Sequence, residues 1–222
     1  MTKTPTSSVY RITPSLLNSW GYIYQASEFT REAQSDEICL EDKQALATEK
    51  ALESFVKTLS RVKEPPTEAM QRGIDFEAEC YAGNTCVSPI VEGGAFQIGC
   101  KKRINVDGME FELYGILDVL KGGIIYDIKR VGRYNIQKYL HSYQHDFYLM
   151  LFPQAYQFTY LAYDGKQLHT ETYYPHNPED KIIQGIRSFI EFLKAHDLLD
   201  LYKEKWNLQN IQEERKLNEE VK

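Results

Sequence analysis

Apolar side chains at Leu16, Leu17, Trp20 and Ile23 recur at helical spacing behind Thr13-Pro14, an N-cap followed by a proline suited to the first helical position. This predicts a first helix near 14–26. Ala45, Leu52, Phe55, Val56 and Leu59 predict a second over 42–62, free of glycine and stopped by Pro65-Pro66. A third should start after Thr67 and run to about Tyr81. From Phe96 the period shortens to two, and the turn pairs Asp107-Gly108 and Gly122-Gly123 divide three β-rich runs into an antiparallel meander. Helical spacing returns over 137–152 and ends at Pro153. Two strands, 156–163 and 167–174, are then joined around Asp164-Gly165, and Asn177-Pro178 opens a last long helix to about His196. The charged segment 207–222 reads as a solvated helix or frayed tail. The expected fold class is α/β: a mixed central sheet with an antiparallel meander core, flanked by helices, forming one domain over 1–206 with 207–222 appended.

With 222 residues, 42% hydrophobic and 26% charged, the chain can bury a substantial core. It has no run of about 18 apolar residues, and its first residues, MTKTPTSSVYRITP, lack the apolar core of a signal peptide, so a cytoplasmic protein without a membrane partner is expected. Cys39, Cys80, Cys86 and Cys100 form no C-x-x-C pair and are read as reduced packing residues. The net charge of −6 argues against coating nucleic acid by bulk charge. Its distribution is uneven, however: 28–53 carries eight acidic and three basic side chains, whereas 121–138 carries five basic and one acidic. An acidic protein with one basic segment can still hold a polyanion at one place.

If Gly122 and Gly123 form a two-residue hairpin loop, pairing proceeds outward from Lys121 opposite Ile124 and sets Asp118 against Asp127. Lys129, two residues beyond Asp127, shares its face. Phe111, Leu113, Leu117 and Val119 point one way; Glu110, Glu112, Tyr114, Ile116 and Asp118 point the other. Two readings remain open for the facing carboxylates: a solvated face with a like-charge pair, or a site for a divalent cation that relieves their repulsion. Lys129 alone would be an ordinary salt-bridge partner.

Asp118, followed by Asp127-Ile128-Lys129, resembles the core of the PD-(D/E)XK nuclease superfamily. Gly115-Ile116-Leu117-Asp118 and Asp127-Ile128-Lys129, with Gln144-x-x-x-Tyr148 beyond, are similar to its RecB-like exonuclease branch. Gly73-x-x-x-Glu77 looks like that branch's first motif, and Ile12-Thr13-Pro14-Ser15-Leu16-Leu17 resembles a short N-terminal helix of many members. The matching positions span 12–148, about two thirds of the chain, in the family's order. The resemblance implies a restriction-endonuclease-like sheet and a Mg2+- or Mn2+-dependent deoxyribonuclease that hydrolyses phosphodiesters from DNA ends to give 5′-phosphates. Glu77, Asp118, Asp127 and the Ile128 carbonyl would hold the metal, and Lys129 would act on the water or the developing charge. No cysteine follows Cys100, so no iron-sulfur cluster is expected.

Glu77 alone reads as a solvent contact or an i,i+4 partner, but Gly73 one turn earlier would admit another backbone and favours a buried, sheet-facing Glu77. Gln144 and Tyr148 share a helical face, extended by Gln137 and His141; the ordinary reading is an amphipathic helix edge, and the resemblance places the pair near DNA. His141 and His145 lack a third ligand for zinc. Arg130, Arg133 and Lys138 are either a solvated face or phosphate contacts, with Lys101, Lys102 and Arg103 a second basic candidate. Expected partners are DNA ends or single strands and a recombination, helicase or annealing protein, in a phage, repair or defence setting. A helicase would have to be another chain, since no P-loop is present. Alternatives are a structure-specific or single-strand endonuclease, and a binding module that keeps the fold without cutting.

Overall fold

The computed structural model describes residues 8–30 and 40–220. In chain order the elements are β1 (Val9–Ile12), α1 (Pro14–Thr30), α2 (Leu40–Leu59), α3 (Glu68–Tyr81), the single turn α4 (Ser88–Val91), β2 (Ala95–Val106), β3 (Met109–Lys121) and β4 (Ile124–Arg130). They continue with α5 (Ile136–Leu140), α6 (Gln144–Leu151), β5 (Gln157–Tyr163), β6 (Leu168–Tyr173), α7 (Pro178–Ala195), α8 (Leu199–Trp206) and α9 (Leu208–Glu220). The strands make one mixed six-stranded sheet flanked by helices, ordered β1-β3-β4-β5-β6 with β2 also on β3. Among the described residues no helix is long and apolar enough to cross a membrane.

Local chemistry accounts for most boundaries. Thr13 Oγ1 accepts the Leu16 amide at 3.2 Å, and Thr67 Oγ1 accepts that of Met70 at 3.3 Å, each satisfying an orphan donor of a first turn. Gly122 and Gly123 have φ of 57° and 80°, the left-handed pair a type I′ hairpin requires. The β3–β4 ladder accordingly pairs Lys121 with Ile124, Leu120 with Ile125 and Val119 with Tyr126, the register expected.

Compact packing divides the chain into two units. The first comprises residues up to 62, 102–113 and 183 onward. In it β1 runs parallel to β3, from Val9 beside Glu110 to Ile12 beside Leu113. Four residues gave no sequence signal for this strand. It is held by a 2.6 Å Arg11–Glu112 ion pair and by the Tyr202 hydroxyl on the Arg11 carbonyl at 3.1 Å. Glu112 is therefore engaged by Arg11. Trp20, Phe55, Phe189 and Tyr202 pack as edge-to-face aromatics with centroids 5.5–6.2 Å apart. Trp206 closes α8 with a buried 2.8 Å hydrogen bond to the Leu59 carbonyl. The segment from 207 is less solvated than its charge suggests, because Leu208 and Ile211 at the start of α9 are buried.

The second unit, 63–101 and 114–182, carries the sites of interest. Here β4 runs parallel to β5 from Ile124–Gln157 to Arg130–Tyr163, and β5 is antiparallel to β6. Parallel neighbours need a crossover, and α5 and α6 are that crossover. One face of the sheet packs Val119, Ile128 and Leu161 against Phe76, Cys80, Val87 and Val91 of α3, α4 and the segment between them. Cys80 and Cys100 are buried free thiols, whereas Cys86 is exposed and is not a packing residue; Cys39 lies outside the described residues.

The single helix expected over 137–152 is two. His141 donates to the Gln137 carbonyl and Ser142 to that of Tyr139, closing α5, and Ser142 Oγ then accepts the Gln144 amide at 3.1 Å to open α6. Gln137 and His141 therefore do not extend the Gln144–Tyr148 face.

Candidate active site

Residues alternate sides along a strand, so Asp118 and Asp127 lie on the face opposite Val119 and Ile128. Beyond Val119 a side chain continues the pairing: Asp118 Oδ2 accepts the Ile128 amide at 2.9 Å. Asp127 is 3% exposed, not solvated, because α6 covers this face. The Gln144 carboxamide donates to Asp127 Oδ1. Lys129 Nζ lies 2.9 Å from Oδ1 and 2.8 Å from Oδ2, but only the first contact is directed as a hydrogen bond, leaving Oδ2 buried without a directed donor.

These contacts set the proton affinities. Burial pushes the Asp127 carboxyl up to about 7; the Lys129 charge opposes the rise and the Asp118 charge adds to it. For Lys129 burial disfavours the ammonium, but the charges of Asp127 and Asp118 outweigh it and hold the pKa above the ordinary lysine range. The lysine is therefore charged throughout the physiological range.

Tyr148 is 6% exposed and gives its hydroxyl to the Ile116 carbonyl at 2.6 Å. A Cβ on Gly115 would fall 2.6 Å from its ring, so the glycine lets helix and strand approach. Instead of presenting its phenol to solvent as a DNA contact, Tyr148 braces the strand just ahead of Asp118.

Glu77 is only partly buried. Its Oε1 accepts the Tyr81 hydroxyl, which also lies 3.4 Å from the Asp118 carbonyl, and the Gln97 carboxamide at 2.6 Å. Burial raises its pKa, the Tyr81 hydrogen bond opposes this, and the Asp118 charge adds to it. Gly73 does not bring a backbone close, for nothing lies within 4 Å of where its Cβ would be. The half-burial comes instead from Tyr81 and Gln97. Sequence reasoning missed both, although Tyr81 is one turn from Glu77 on the same helix; Gln97 has a φ of 52°, a backbone state visible only in the fold. Among the described residues no three His, Cys, Asp or Glu side chains gather into a group that could hold a metal ion.

The basic residues separate into two kinds. Arg130 is a clamp: its Nη1 donates to the carbonyls of Val131 at 2.6 Å and Tyr163 at 3.2 Å, and its guanidinium lies 5.2 Å from the Tyr163 ring centroid. Arg133 and Lys138 are exposed after β4. Lys101 and Arg103 are exposed on β2, with Lys102 between them partly buried. His145 is buried and stacked on Tyr173 at 3.9 Å, whereas His141 is exposed at the end of α5, so the two are not a helical i,i+4 pair.

No family model matches this chain, and no curated protein does. Among solved structures it is similar to SSO0001, with 14% identity and a TM-score of 0.53 over 85% of this chain and 79% of that one. At that identity the similarity concerns the fold.

Proposed function

We propose that the chain is a Mg2+- or Mn2+-dependent deoxyribonuclease of the PD-(D/E)XK superfamily, close to its RecB-like branch and with that superfamily's restriction-endonuclease-like sheet. It hydrolyses phosphodiesters from DNA ends and leaves 5′-phosphates. The observation that carries this reading is the Asp118–Asp127–Lys129 arrangement: two neighbouring carboxylates, one buried, with an ammonium on the buried one. Such a pair is costly unless something positive completes it. Hard oxygen donors, one a buried oxygen without a directed donor, suit a divalent cation.

Asp118, Asp127 and the Ile128 carbonyl would hold the ion. Glu77, which is not gathered with the two aspartates into one group here, would have to move in to join them. Bound there, the ion would supply Lewis acidity toward the phosphate and a water of lowered pKa. Lys129 holds its proton and presents fixed positive charge to an oxyanion as it develops, an interaction stronger in the transition state than in the ground state. Gln144 fixes the Asp127 carboxylate, Tyr148 fixes the strand that carries Asp118, and both are positioning residues. Arg133 and Lys138 neutralise phosphates of the incoming strand.

The test compares linear duplex, covalently closed circular and single-stranded DNA with Mg2+, Mn2+ or EDTA, for the wild type and Asp127→Asn. Cation-dependent loss of linear DNA, a spared circle and an inactive but folded Asp127→Asn are expected. Rapid cutting of the circle would replace the exonuclease with an endonuclease. Salt-sensitive binding without cleavage under either cation would make the chain a binding module.

A further inference from the structure

A cavity of about 330 Å3 opens beside the candidate site, within the size range of ligand pockets, roughly 300–1,000 Å3. Tyr81 and Phe96 wall it, their rings 4.6 Å apart and tilted by 42°, with Pro89 and Val91 among the other lining residues and Glu92 at an exposed position. Phe96 remains 38% exposed, so an aromatic surface is left open. Tyr81 belongs to both places, since its hydroxyl reaches Glu77 and the Asp118 carbonyl. Tyr81 thus joins the cavity to Glu77, the carboxylate of the candidate site nearest to it in the hydrogen-bond network.

Resting on the nuclease reading, we propose that this cavity holds one unstacked nucleobase of the strand being cut, stacked on Phe96, beside the phosphate undergoing hydrolysis. An aromatic wall attracts the flat face of any base, and stacking of this kind tolerates sequence. Glu92, an exposed carboxylate of the lining, repels a phosphate, so the base and not the backbone enters. A carboxylate at position 92 accepts from base amino and imino groups and offers nothing to an aliphatic chain. Holding one base out of the stack fixes the adjoining phosphate against the carboxylates and makes a single-stranded or frayed end the preferred substrate.

The experiment measures binding in EDTA of single-stranded oligonucleotides in which one abasic position is moved stepwise along the strand. The wild type should lose roughly 5- to 150-fold in affinity when the abasic position reaches the cavity, the range expected for one stacked base. Phe96→Ala should lose a similar factor on intact DNA and little more on the abasic strand, and Phe96→Tyr should restore binding. A 2-aminopurine at that position should change its fluorescence on binding to the wild type and not to Phe96→Ala. The abasic series needs no protein variant, so it decides the matter even where Phe96→Ala disturbs Tyr81. Independent, multiplicative losses, or no sensitive position while DNA is still cut, would overturn the cavity assignment alone. Failure of the wild type to bind any DNA would overturn it together with the nuclease reading.

Discussion

The Lys129 ammonium stands 2.8–2.9 Å from both oxygens of Asp127, yet burial still lifts that carboxyl to about 7. One lysine does not offset removal from water beside a second carboxylate. The sign of the pH dependence follows. The folded chain keeps the Asp127 proton to higher pH than the unfolded chain, whose ordinary value is 3.8, so the stability this group contributes is full below about pH 4 and lost as pH rises through about 7. In EDTA, the unfolding free energy of the wild type, read from urea melts, should fall from pH 4 to 7 relative to that of Asp127→Asn, by at most about 1.4 kcal/mol per pH unit. Mg2+ should recover the wild type and leave Asp127→Asn unmoved. Parallel profiles for the two proteins would defeat this account.

Lys129→Ala should lower the maximal cleavage rate by about 10²- to 10³-fold with little change in DNA affinity, because fixed charge acts on what develops in the transition state. Lys129→Arg should recover little, its planar fork being a poor replacement for a compact ammonium. Single-turnover rates against binding isotherms separate the effects. Weakened binding at an unchanged rate would make Lys129 a phosphate anchor.

The part of this site visible in the sequence was the part set by one hairpin. Gly122-Gly123 dictates the loop, the loop dictates the register, and the register brings Asp118 and Asp127 together with Lys129 on their face. The burial of Asp127 was not legible, because it depends on β4 pairing in parallel with β5 and on the crossover helix that this pairing places over the sheet. Arg130 was misjudged for a related reason: its carbonyl partner at Tyr163 is 33 residues away. The break at 141–143 is local but subtle, since it rests on Ser142 accepting the Gln144 amide inside an otherwise continuous apolar period. β1 owes its existence to parallel pairing with β3, whose partner residues lie 101 positions downstream.

Gly115→Ala should place a methyl into the Tyr148 ring, 2.6 Å from its nearest carbon, and destabilise the fold by about 1 to 3 kcal/mol. Tyr148→Phe should cost only about 1 kcal/mol, the worth of its hydrogen bond to Ile116. Tyr148→Leu should offset much of the Gly115→Ala loss, and a double-mutant cycle in urea reads the coupling. Simple additivity would mean that the close approach is not what Gly115 provides.

The sharpest contrast is between Arg130 and its exposed neighbours. Arg133 and Lys138 face solvent after the strand that bears Asp127 and Lys129, so each should release counterions when it meets a phosphate. Arg133→Gln and Lys138→Gln should each flatten the log-log dependence of DNA affinity on salt by about 0.7 to 0.9, with little change in thermal stability. Arg130→Gln should do the reverse: its guanidinium is spent on the Val131 and Tyr163 carbonyls and the Tyr163 ring, so the variant should lose stability while its salt slope stays near the wild type's. Salt titrations of the three variants beside their melting curves make the comparison. A slope change for Arg130→Gln as large as for Arg133→Gln would return Arg130 to the DNA-contacting set.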